Sequence, residues 1–147
     1  MNRAIWLLAA LWAQPVGTAL ALEKYICIAE QTTGFWWNAT TKAWEQAKFK
    51  GGDKWLIEEL VPTKVLSRTF NYQVKKFGQD VAQHLCERPL IGNERVTRIM
   101  CGGLPYGLMM DTKTLRYQEF YSHGYVDGGD STANTPAVTI GTCTKLE

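Results

Sequence analysis

Apolar positions along this chain fall in short runs separated by glycine, proline and small polar clusters, and helical spacing is scarce. Tyr25-Ile26-Cys27-Ile28-Ala29 is a short apolar run that suits a buried strand, and Gly34-Phe35-Trp36-Trp37 follows as another. Asn38-Ala39-Thr40-Thr41-Lys42 is a polar turn, after which Ala43-Trp44 begins a return strand towards Phe49. Gly51-Gly52-Asp53 is a second turn, with Trp55, Leu56 and Ile57 beyond it. Val65 to Val74 is rich in β-branched and aromatic residues and reads as one or two strands. Val74, Phe77, Val81 and Leu85 also fit a helix face, but Gly78 interrupts it, so at most one short helix is expected, over Gln79–Leu85. Arg95–Cys101, Leu115–Val126 and Ala137–Cys143 read as strands, and Gly102-Gly103-Leu104-Pro105 as a turn. Asp127–Pro136, built from Gly, Asp, Ser, Thr and Asn, reads as a long surface loop.

Two stretches share a pattern. Cys27 is followed by Gly34-Phe35-Trp36-Trp37-Asn38 and then Trp44; Cys101 is followed by Gly107-Leu108-Met109-Met110-Asp111 and then Tyr117. Asn38 and Asp111 are residue types that start turns by accepting hydrogen bonds from the backbone just ahead. Each half then reads as cysteine-bearing strand, bend, strand, turn, strand. The expected fold is all-β: a small, disulfide-bonded antiparallel β-barrel or sandwich, formed by two similar sheets.

The first residues change the picture from fold to address. Met1-Asn2-Arg3 is a short basic start, Ala4–Ala13 is apolar, and Ala19-Leu20-Ala21 offers small residues where a signal peptidase reads. This predicts a secretory signal peptide cleaved after Ala21, leaving residues 22–147 as one domain in the periplasm or outside the cell. The apolar run is too short to span a bilayer, which takes about 20 apolar residues, so no stable membrane insertion is expected. Cleavage removes Arg3 and no acid, lowering the formal charge of +2 by one. The basic spots are short and interleaved with acids, which gives no case for nucleic acid as a partner. Four cysteines, Cys27, Cys86, Cys101 and Cys143, remain in the mature part. In an exported protein an even count favours two disulfides, with three possible pairings. The expected pairing is Cys27–Cys143, tying the opening strand to the closing one, with Cys86–Cys101 closing a short internal loop. No Cys-x-x-Cys occurs, and His84 is the only histidine near a cysteine, so no metal site is expected.

Tyr25-x-Cys27, Gly34-Phe35, Trp44, Phe49, Cys101-Gly102-Gly103, Arg116-Tyr117, Gly124-Tyr125, Thr135-Pro136 and Gly141-x-Cys143 together resemble a group of small exported proteins of proteobacteria and their phages. The resemblance covers most of the mature chain and implies location and an oxidised β-architecture, not an activity. A weaker likeness is to periplasmic inhibitors of C-type lysozyme, which are small disulfide-bonded β-barrels with a Ser-Gly-x-x-Tyr loop. The nearest stretch here, Ser122-His123-Gly124-Tyr125, departs from that loop. Asn38-Ala39-Thr40 is a glycosylation sequon in form, read here as a turn because the resemblance is bacterial.

Catalytic motifs are missing: no Gly-x-Ser-x-Gly, no His-Glu-x-x-His and no phosphate-binding loop. His123 with Asp127 or Asp130 as its orienting acid is the one conceivable general-base pair, and no cofactor is implied. Calcium in the Asp127–Asn134 stretch is disfavoured, because the spacing lacks the bidentate glutamate of a calcium loop. The aromatics are the better candidates. On a strand Phe35 and Trp37 face one side and Trp36 the other, and Trp44, Trp55 and Tyr72 add to either a core or an exposed platform. The expected function is therefore a non-catalytic exported binding protein. It would act through an aromatic surface and the Asp127–Pro136 loop, with Phe35, Trp36, Trp37, His123, Tyr125, Asp127 and Asp130 as its residues, towards a protein such as a lytic enzyme or a glycan. The alternatives are a small secreted hydrolase using His123, and a structural envelope or phage accessory protein.

Overall fold

The computed structural model describes residues 22–147 apart from 66, 67, 104 and 134. The expected leader lies outside the described residues. The chain runs through β1 (Lys24–Asn38), β2 (Ala43–Phe49), β3 (Lys54–Val65), β4 (Arg68–Lys76), β5 (Ala82–Glu87), β6 (Leu90–Ile91), β7 (Glu94–Arg95), β8 (Arg98–Gly103), β9 (Tyr106–Asp111), β10 (Arg116–Tyr121) and β11 (Ala137–Leu146). Among the described residues there is no helix. Strand order is β11-β10-β9-β8-β5-β4-β3-β1-β2, and β11 also pairs with β1, which closes an eight-stranded antiparallel barrel. At this strand number the interior is just wide enough for side chains to fill. Tyr25, Cys27, Trp55, Ile57, Tyr72, Val74, Ile99, Leu108, Met110 and Tyr117 fill it. Trp55 and Tyr72 thus belong to the core.

Both disulfides have the expected pairing. Cys27–Cys143 joins directly opposed residues of β1 and β11, and Cys86–Cys101 does the same for β5 and β8. The two turn-starting residues behave alike. Asn38 Oδ1 accepts from the Thr40 and Thr41 amides at 2.9 and 3.3 Å. Asp111 Oδ1 accepts from those of Lys113 and Thr114 at 2.9 and 3.0 Å. Four residues after each, Lys42 and Leu115 take left-handed φ of 51° and 56°. The shared pattern in sequence is therefore a shared hairpin geometry.

Three expectations need correction. The helix over Gln79–Leu85 does not form: Gly78, at φ 83°, ends a turn, and Ala82–Glu87 is a strand. Ala82, His84 and Cys86 alternate inwards there, and Cys86 is bonded across to β8, so the strand period overrides the accidental helical spacing. The runs 25–29 and 34–37 are one strand, β1, carrying a bulge between Ala29 and Gln31. The strand expected over Leu115–Val126 stops at Tyr121, where the chain breaks into turns through Gly124 and Gly128, both at positive φ.

The β1 bulge positions the site described below. Before it, Tyr25, Cys27 and Ala29 point into the barrel. After it the phase inverts. Thr32 meets the buried Thr139, with their hydroxyl oxygens 3.0 Å apart, so Gly34 and Trp36 follow on that side, and Phe35 and Trp37 on the other. From Phe35 onwards β1 leaves β11 and continues with β2 as a two-stranded arm. Polar groups fill the opposite end of the barrel. Glu23 accepts from the Tyr72 hydroxyl at 2.8 Å and from Arg88 and Lys145 at 3.1 Å each. Arg88 also donates to the Val96 carbonyl at 2.7 Å.

Candidate functional site

The arm and the 122–136 segment together make an aromatic cleft. Trp37 and Trp44 are directly opposed on β1 and β2, with ring centroids 5.7 Å apart. Trp44 meets Tyr125 edge-on at 5.9 Å, and its indole N–H donates to Asp130 Oδ1 at 3.0 Å. The backbone N–H of Phe35 donates to the Pro136 carbonyl at 2.9 Å, seating the end of the loop on the arm. Gly34 makes that seating possible, because a β-carbon there would overlap the Pro136 carbonyl oxygen. The result is a cleft of about 490 Å³ walled by Phe35, Trp44, Tyr125, Val126 and Pro136, with Ser122 as its polar member. The Ser122 hydroxyl is already engaged, donating to the Pro105 carbonyl at 3.0 Å.

Of the candidate residues, Phe35 and Tyr125 line the cleft, Trp37 supports it through Trp44, and Asp130 anchors Trp44. Phe35 stays 52% exposed. Trp36, 38% exposed, projects from the other face of the arm and takes no part in the cleft. His123 and Asp127 sit beside it: His123 Nδ1 is 3.0 Å from Asp127 Oδ2, and the His123 ring lies 5.2 Å from that of Tyr121. This bond, with the Gly124 amide, holds the Asp127 carboxyl below its ordinary value. Both side chains are largely exposed. Asp130, the other acid considered for His123, is bonded to Trp44 instead. Sequence reasoning placed Pro136 in the binding loop but did not assign Val126 or Ser122 to the surface. Their signal was only their position flanking the loop.

A second cluster was not assigned from the sequence. Towards the arm end of the barrel Glu119 accepts from the Trp55 indole N–H at 2.9 Å and from the Tyr106 hydroxyl at 2.6 Å. Tyr106 is stacked on His84 at 4.6 Å and lies 6.4 Å from Trp55 and 6.1 Å from Tyr121. Burial, then the hydrogen bond to Glu119, pushes the Tyr106 hydroxyl far above its usual range, and burial lowers the His84 imidazole below its ordinary value. A larger groove, about 600 Å³, crosses the outer wall over Met109 and Ile140 between Arg98 and Arg116, and holds none of the candidate residues.

Among the described residues no group of three or more His, Cys, Asp or Glu could hold a metal ion, and no helix is long and apolar enough to cross a membrane. Fold and site define a disulfide-tied antiparallel barrel with an apolar aromatic cleft built on its rim. Comparison with protein-family models, with curated proteins and with solved structures finds no match to this chain.

Proposed function

We propose that this chain is an exported, non-catalytic binding protein whose rim cleft receives an apolar side chain of a protein partner. The carrying observation is the convergence of Phe35, Trp44, Tyr125, Val126 and Pro136 around one cleft of about 490 Å³. Aromatic residues in such settings dominate binding energy at protein interfaces. Its chemistry favours a protein over a glycan. A sugar brings hydroxyls that lose water on binding and need replacement partners. Here the Ser122 hydroxyl, the Trp44 indole N–H and Asp130 are already bonded within the protein. Two disulfides support action in the periplasm or outside the cell, where such bonds form and persist. A cell-wall lytic enzyme is a partner of the right location.

The test is affinity capture on the immobilised oxidised protein from periplasmic and extracellular extract, with inhibition assays on lysozymes alongside. The double variant Phe35→Ala, Trp44→Ala serves as the comparison. Both residues stand on the arm outside the barrel core, so the barrel should persist. Loss of an anchoring aromatic typically costs at least about 2 kcal/mol, so affinity for the captured partner should fall about 30-fold or more. The same captured proteins at equal affinity on both surfaces would end this reading.

One geometry supports a second reading, a small secreted hydrolase: His123 and Asp127 are within hydrogen-bond reach, the arrangement of a base with its orienting acid. The nearest serine, Ser122, directs its hydroxyl to the Pro105 carbonyl rather than to a base. Turnover of activated esters that His123→Ala abolishes would establish it. Equal rates in variant and parent would dismiss it.

A further inference from the structure

We propose that the arm end of the barrel, at the partly exposed Glu119 carboxylate, is a binding site for a small organic cation, a primary alkylammonium. Glu119 is held inside the rim by two neutral donors, Trp55 and Tyr106. Among the described residues no cation pairs with it. The nearby Lys76 ammonium is engaged 2.8 Å from Asp53, and burial disfavours the charged form of His84. A carboxylate offers about four lone-pair sites and two are used here, so the group retains acceptor capacity, and the Lys76 ammonium that feels its charge is bonded to Asp53 instead. Removing such a charge from water is unfavourable unless a counter-charge replaces the solvent.

The surroundings suit an ammonium. Trp55 and Tyr106, which bond Glu119, lie in an aromatic cluster with Tyr121 and His84, each within 6.4 Å of Tyr106. Aromatic faces attract cations at about 6 Å from the ring centroid, and they also receive an alkyl chain. Two residues before Glu119, on the same inward face, the Tyr117 hydroxyl is buried without a hydrogen-bond partner among the described residues. Barrel mouths are a recurrent place for small-molecule sites. This site is distinct from the rim cleft, whose lining contains no carboxylate.

The experiment is an NMR titration of the ¹⁵N-labelled oxidised protein with n-butylammonium chloride, and with n-butanol as the neutral isostere at matched ionic strength. Butylammonium should move the Trp55 indole N–H resonance saturably and leave that of Trp44 in place, and butanol should not move that of Trp55. In Glu119→Gln the affinity should drop about tenfold or more. No movement at tens of millimolar ligand, movement at Trp44 instead, equal binding of butanol, or full binding by Glu119→Gln would each overturn the proposal. Should Glu119→Gln fail to fold, the ammonium-against-alcohol comparison on the unaltered protein decides alone.

Discussion

The two disulfides should differ in what they contribute, and the difference can be worked from the topology. Replacing Cys27 and Cys143 with alanine opens a loop of 116 residues, and replacing Cys86 and Cys101 one of 15. In the chain-entropy description the first bridge contributes about 4.8 kcal/mol and the second about 3. All four sulfurs are buried, so the packing loss is similar in both variants and the difference reads the loop length. With an unfolding entropy of about 2.1 cal/mol/K per residue over roughly 126 residues, 1 kcal/mol moves Tm by about 4 °C. The expected drops are about 18 °C and about 11 °C, measured by near-ultraviolet circular dichroism under non-reducing conditions. The native state argues the other way. β1 and β11 are held by ten register pairs, whereas β5 and β8 share only Cys86 with Cys101 and Glu87 with Met100. If that thin seam sets stability, Cys86→Ala, Cys101→Ala will be the more damaging pair. An equal or reversed order of Tm would refute the unfolded-state reasoning.

Gly141→Ala should destabilise by about 3 kcal/mol or more, because a β-carbon there would overlap the Ile28 carbonyl oxygen and press on the Tyr117 ring; denaturant midpoints give the value. The Glu58 carboxyl is held below its ordinary value, first by the Lys75 ammonium 2.8 Å away and further by Gln73 and Lys24. Its folded-state pKa is depressed, so its contribution is present above the unfolded value near 4.5 and is lost as pH falls through the folded value. Glu58→Gln should therefore narrow the gap to the parent in Tm as pH is lowered below 4.5, and a constant gap across pH 3–7 would contradict it.

What the sequence made legible was chemistry with short reach. The β-class and the two turn-starting residues follow from local signals, and each is found in the fold; the cysteine pairing, one of three the sequence allowed, is the preferred one. The misread helix shows the limit. Phe77 and Val81 are 53% and 75% exposed, so the spacing with Val74 and Leu85 never marked a buried face. A small barrel leaves apolar residues on its outer wall, which blurs the periodicity by which helix and strand are told apart. The Glu119 cluster was hidden for another reason. Trp55, His84, Tyr106 and Glu119 stand on four different strands, and only closure brings them together. Their one local trace is Tyr117, Glu119 and Tyr121 at alternate positions, an acid between two tyrosines on one face.

The bulge in β1 is what allows one strand to serve two surfaces. Without the extra residue, side chains would keep alternating from Tyr25, Cys27 and Ala29, and Phe35 and Trp37 would continue the face that fills the barrel. With Glu30 out of register, the phase inverts and both rings turn to the side where the 122–136 segment crosses. The surroundings secure the offset. The Thr142 hydroxyl donates to Glu30 at 2.7 Å, the Ala29 amide donates to the Asp53 carbonyl at 3.0 Å, and Gly51 and Gly141 lie where any side chain would crowd the bulged backbone. A one-residue irregularity held from both neighbouring strands thus converts a core strand into an arm whose outward aromatics make the cleft. It follows that the cleft depends on Glu30 and its glycine neighbours as much as on the rings that line it.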